Sequence, residues 1–149
     1  MEKIVAILDM YDGLSMAADE SNSVPIFEAC SKHFSSFIKL LDLYHNFPEF
    51  EIYVLRIFAH LAAYMSFEVL TPDQKRIFYS SISQLLMVYI KNETQRKRVK
   101  RKHDEEELFE DISTILQMLT SLITGEFEGL GNYTLNNYRK ISSYGSAAD

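Results

Sequence analysis

The chain has 149 residues, 47% of them hydrophobic and 24% charged, with a net charge of −6 and a pI near 5.2. That length and balance support one domain with a real core and exclude a charge-dominated disordered chain. The acidic excess sets the molecule as a whole against a phosphate backbone, and 5 glycines and 3 prolines are too few for the turns of an all-β sandwich, so long helices are expected.

Residues 2–11, EKIVAILDMY, are compatible with a short helix that Asp12-Gly13-Leu14 and the polar DESNS at 19–23 would end. Residues 1–24 therefore read as a short N-terminal helix and linker. From Pro25 to about Tyr44, Ile26, Phe27, Cys30, Phe34, Phe37, Ile38 and Leu41 recur at helical spacing, with Pro25 suited to a first turn. Pro48 starts a second long helix whose stripe is Phe50, Tyr53, Val54, Ile57, Phe58, Leu61, Tyr64 and Met65. Thr71-Pro72-Asp73-Gln74 supplies an N-cap, a first-turn proline and a reciprocal capping glutamine. It predicts a third helix with Ile77, Phe78, Ile82, Leu85, Leu86 and Tyr89 inward. A fourth is expected after Asp104, a capping residue with Glu107 three positions on. Its inward set is Leu108, Phe109, Ile112, Ile115, Leu116, Leu119, Leu122 and Ile123, and Gly125 and Gly129 end it. Residues 131–149 have no sustained period and are rich in Asn and Ser, as expected of a flexible C-terminal tail.

Cys30 is the one cysteine, which excludes an internal disulfide, and no signal peptide opens the chain, so an intracellular, reducing compartment is expected. No uncharged run, residues 77–90 included, reaches the ~18 apolar residues a spanning helix needs, so no membrane helix is expected.

The order long helix, short loop, long helix occurs twice, and the prolines that open the two units, Pro25 and Pro72, are 47 residues apart. KLLDLYHN at 39–46 also matches QLLMVYIKN at 84–92 in a Leu-Leu pair, an aliphatic-Tyr step and a nearby Asn. Two-helix periods of about 40 to 47 residues describe HEAT or armadillo arrays, whose hairpins bury their stripes against one another. A free-standing four-helix bundle accounts for the periodicity equally well.

LLMVYIKNETQRKR at 85–98, DEEELFEDI at 104–112 and LQMLTSLITGEFEG at 116–129 follow a fixed order. A Leu-Leu pair, a Tyr, a Lys-Asn and an Arg-bearing loop lead to an acidic cap and an Asp before an apolar helix. In this order the chain resembles the nuclear export receptors of the importin-beta/exportin superfamily, the exportin-4-like group most closely. Weaker similarity runs back through LLDLYHNFPEFEIYVLRIFAHLAAYMSF to GLSMAADES, so that residues 13–130 are covered and the last twenty or so depart from it. These are repeat-unit motifs without a catalytic signature. The resemblance implies an α-solenoid segment, two HEAT-like hairpins over residues 25–130 of a right-handed superhelix. It also implies the partners: the GTP-bound form of the GTPase Ran together with protein cargo, bound in the nucleus and released in the cytoplasm. Such receptors are far longer than 149 residues, so a fragment or short form is implied. No residue here matches a motif that transfers a specific Ran or cargo contact.

Between the third and fourth helices stand Arg96, Lys97, Arg98, Lys100, Arg101 and Lys102, followed at once by Asp104, Glu105, Glu106 and Glu107. As a solvated hinge this run puts cations at a helix C-terminus and anions at a helix N-terminus, matching both dipoles. As a partner-contact loop it would meet Ran or cargo, and KRVKRK at 97–102 has the composition of an import signal. Acidic neighbours and the lack of interleaved aromatics argue against nucleic acid.

No catalytic, cofactor or metal constellation emerges. Asp42 and His45 share the i, i+3 step of di-metal bundles, but no second helix repeats it. Cys30 falls on an apolar stripe with no paired base. GEFEGLG at 125–131 lacks the preceding strand and following Lys-Ser/Thr of a phosphate loop. The expected protein is not an enzyme; it acts by protein–protein binding in nucleus and cytoplasm. The alternative is a self-contained helical-bundle adaptor whose groove takes a partner helix.

Overall fold

A computed structural model describes residues 1–96 and 105–125, and the regular structure among them is helical throughout, with no strand. The helices are α1 (Glu2–Met16), α2 (Ser23–Ser31), α3 (Phe34–Leu43), α4 (Pro48–Tyr64), α5 (Pro72–Gln95) and α6 (residues 105–125), with one 3-10 turn at Phe67–Val69. The expected all-α class is found. The capping role of Asp104, the cations at 97–102, the stop at Gly129 and the tail at 131–149 lie outside the described residues.

The N-terminal helix is longer than its apolar pattern suggests. Gly13 sits inside α1, and the inward line is Leu8, Asp12 and Ser15, with Ile4 and Val5 half-buried beside them. Two of its members are polar, which hides the 3.6-residue period from a reading of hydrophobicity alone. Both polar groups are satisfied: Nδ1–H of His60 on α4 donates to Asp12 Oδ1 at 2.6 Å, and Ser15 Oγ donates to the Tyr11 carbonyl at 2.8 Å. α1 lies along α4, the most extensive pairing among α1 to α5. Tyr11 packs its ring edge-on to Phe37 at 5.1 Å and beside His33 at 5.4 Å.

The DESNS segment folds into a self-bonded turn. Asp19 Oδ1 accepts from the backbone of Ser21 at 2.8 Å and of Asn22 at 3.1 Å, while Asn22 Oδ1 accepts from the Asp19 N–H at 2.7 Å. These bonds to the charged form hold the Asp19 carboxyl below its ordinary range, the Ser21 hydroxyl first among them. Next to this turn, the buried Ser23 hydroxyl donates to the Asp19 carbonyl and accepts from the Ser66 N–H at 2.8 Å. It thereby ties the start of α2 to the end of α4. Ser23→Ala leaves two backbone groups unmet and should cost about 1–2 kcal/mol in chemical denaturation.

Where one helix from Pro25 to Tyr44 is expected, there are two, α2 and α3, bent at Lys32-His33. The bend is a local tightening: the His33 N–H bonds to the Cys30 carbonyl three residues back at 2.9 Å, and the Phe37 N–H resumes with the His33 carbonyl at 2.9 Å. Neither Gly nor Pro marks it. The change of direction turns Phe34 toward Phe27 and Phe58, at ring distances of 5.9 and 4.9 Å.

α4 begins at Pro48, as expected, and nine of its residues are buried, so it is the axis of the domain. The capping box of α5 is present in both halves: Thr71 Oγ1 accepts from the Gln74 N–H at 3.2 Å and Gln74 Oε1 accepts from the Thr71 N–H at 2.9 Å. The Phe78 ring of α5 lies 5.9 Å from Phe34 and 5.6 Å from Phe67, both tilted, and stacks 6.4 Å from Phe58. One aromatic knot therefore joins α2, α3, α4, α5 and the 3-10 turn. Ile77, expected inward on α5, is instead exposed, one position off the buried line of Phe78, Ile82, Leu85 and Tyr89. α3 packs on both α4 and α5.

Candidate functional site

Two features meet where α6 lies against α4 and α5. The first is a buried charged junction. Glu51, in the first turn of α4, is 1% exposed, and Asp111 of α6 is 5% exposed. From the end of α5, Arg96 Nη2 donates to Glu51 Oε1 at 2.7 Å and Nη1 to Glu93 Oε1 at 2.9 Å. About two turns earlier on α5, Tyr89 Oη donates to Asp111 Oδ2 at 3.2 Å. Tyr89, Asn92, Glu93 and Arg96 share one face of α5, since they follow the i, i+3, i+4, i+7 series.

One carboxylate oxygen from each of Glu51, Glu93 and Asp111 lies within 4.8 Å of the other two, a spacing that a divalent cation could bridge. The guanidinium of Arg96 already supplies positive charge across two of the three, so the group is clamped by an arginine rather than built around a metal. Burial pulls the Arg96 pKa down, but the hydrogen bond and charge of Glu51, helped by Glu93 and Asp111, more than reverse this, and the clamp stays charged. Burial, and then the charge of Asp111, push the Tyr89 phenol far above its ordinary range, so its oxygen is the donor in that pair. For Asp111, burial and then the charges of Glu51 and Glu93 push the carboxyl up to about 7, against the opposing bond from Tyr89 and the charge of Arg96. Among the described residues, buried Asn92 Nδ2 and Arg96 Nε have no hydrogen-bond partner.

The second feature is a groove of about 780 Å³ between α4 and α6, crossed by an ion pair from Arg56 to Glu110. Ala59 and Ala63 of α4 keep it open; Tyr64, Phe109 and Leu116 give it apolar walls. The buried side of α6 is centred on Asp111 and Met118, with Ile115 and Leu122 half-buried between and beyond them. The expected inward set is thus corrected by half. Phe109 is 76% exposed, Ile112 44%, Leu116 58% and Ile123 60%. At 3.6 residues per turn these four fall within about 60° of arc. The apolar arc of α6 is wider than its packing among the described residues can cover.

Of the basic residues singled out in the sequence, Arg96 lies among the described residues, and it does not belong to a solvated hinge. It caps α5 and turns inward onto Glu51. α5 extends through Asn92 and Glu93 to Gln95, so both positions are helical. Lys97, Arg98, Lys100, Arg101 and Lys102 lie outside the described residues. Sequence reading missed Glu51 and Asp111. Their one signal is position, since each replaces an apolar residue beside an otherwise continuous stripe. The Asp42–His45 step is a helix ending: His45 Nδ1–H donates to the Asp42 carbonyl at 2.7 Å, and the Asp42 carboxylate faces Lys91 at 3.5 Å. Cys30 is fully buried, and burial pushes its thiol up to about 11 against a bond to Ser15, as suits a core residue. No helix among the described residues is long and apolar enough to cross a membrane. No protein-family model matches the chain.

Proposed function

We propose that the chain acts by protein–protein binding, as a helical-repeat segment of a nuclear transport receptor that engages GTP-bound Ran and protein cargo and passes between nucleus and cytoplasm. One observation about packing carries the solenoid part of this reading. With α2 and α3 counted as one bent arm, helices next but one in sequence lie side by side: α1 with α4, α3 with α5, and α4 with α6. Stacked hairpins produce that neighbour pattern, whereas an up-down bundle pairs consecutive helices. The uncovered stripe on α6 also suits an element that stacks against a further helix pair. The transport part rests on the residues at 85–98, 104–112 and 116–129 that resemble the exportin-4-like receptors.

A pull-down against Ran loaded with GTP or with GDP tests it. Retention of the GTP form alone is the expected result, and equal or absent retention of both counts against the transport reading. The groove between α4 and α6 favours a second reading, an adaptor that seats a partner helix against Tyr64, Phe109 and Leu116. Phe109→Asp with Leu116→Asp should abolish partner capture on that reading while leaving the helical circular dichroism unchanged.

A further inference from the structure

We propose that the junction of Glu51, Glu93 and Asp111 is a pH-operated clasp on α6: with a proton held among the three carboxylates α6 stays seated on α4 and α5, and with all three ionised its N-terminal half loosens.

The geometry carries this. Three carboxylate oxygens within 4.8 Å of one another, two of them on residues almost fully out of water, repel strongly when all are charged. Among the described residues, the groups facing Asp111 are Glu51 from α4, and Tyr89, Glu93 and Arg96 from α5 with the buried Asn92 between them. On α6 itself Glu107 lies one turn before it, and the adjacent Glu110 is paired outward with Arg56. The Arg96 guanidinium is committed to the Glu51–Glu93 edge. Among the described residues Asp111 therefore has a neutral phenol as its hydrogen-bond partner, and the Arg96 charge opposes the two glutamates without forming an ion pair with it.

α6 is the element that should respond. Of its residues only Asp111 and Met118 are buried, whereas α4 has nine. A change of charge at Asp111 falls on one of two anchors. The seated carboxyl stands at about 7, against 3.8 for the ordinary group. Between those values the seated helix keeps a proton that the detached helix has released, so seating weakens as pH rises and levels off above about 7. Because α6 carries Phe109 and Leu116, the same step would alter the groove wall. The clasp itself does not depend on the transport reading.

Hydrogen–deuterium exchange of peptides from 105–125 tests the clasp, corrected for intrinsic exchange and referenced to α4 peptides, from pH 5.5 to 8.5. In the wild type, α6 protection should fall by about tenfold or more across that range while α4 protection holds. Asp111→Asn should flatten the profile. Tyr89→Phe removes a bond to the carboxylate form and should move the midpoint to higher pH, which a purely structural role for the phenol would not do. A wild-type α6 profile that tracks α4, an unchanged slope in Asp111→Asn, or a midpoint that does not rise in Tyr89→Phe would each overturn the proposal.

Discussion

Phe58→Ala should lower the free energy of unfolding by about 3–5 kcal/mol, enough to abolish most of the stability of a domain this size. Phe58 is fully buried, and its ring lies 4.9 Å from Phe34 and 6.4 Å from Phe78, so truncation opens a cavity where α3, α4 and α5 meet. Each of those helices holds its place through that contact, which leaves little scope for the site to collapse around the gap. The midpoint of a urea titration followed by circular dichroism gives the value. Phe109→Ala removes the same atoms from a ring that is 76% exposed and should change stability by no more than about 0.5 kcal/mol. Similar losses for the two variants would place the core elsewhere.

Arg96→Ala should cost about 3 kcal/mol at neutral pH, far more than removal of a surface cation. It strips the guanidinium from Glu51, which is 1% exposed, and from Glu93 at the same time. Arg96→Lys keeps the charge but not the fork that serves two carboxylates at once, so it should restore only part of the loss. Combining Arg96→Ala with Glu51→Gln removes the charge that the first change leaves behind. The pair should be less destabilised than the sum of the single variants by at least about 1 kcal/mol, read from a double-mutant cycle in the same denaturant assay. Additive losses would mean that the two side chains do not act on each other.

Much of the architecture is legible in the residues because its signals are local. The Thr71–Gln74 box, Pro48 at the head of α4 and the Phe50-to-Leu61 stripe act within one or two turns, and each element stands where its pattern places it. What is not legible is set by distant neighbours. α1 continues through Asp12 and Gly13 because His60, 48 residues away, meets the aspartate. The bend at His33 has no breaker residue and follows from where the Phe34 ring must go. On α6 the apolar arc is plain in the sequence, but which half is covered depends on the packing of α4 and α5. The junction of Glu51, Arg96 and Asp111 is the extreme case. These charged residues are buried because three helix segments converge on them, and no spacing within any one segment records that.

The seclusion of Cys30 makes the molecule convenient for site-specific spectroscopy. With its thiol held up to about 11, on the order of one molecule in a thousand carries the reactive thiolate at pH 8, and folding keeps reagents away from it. A cysteine introduced on the rim of the groove would therefore take a fluorophore or spin label alone, with the native sulfur left in place.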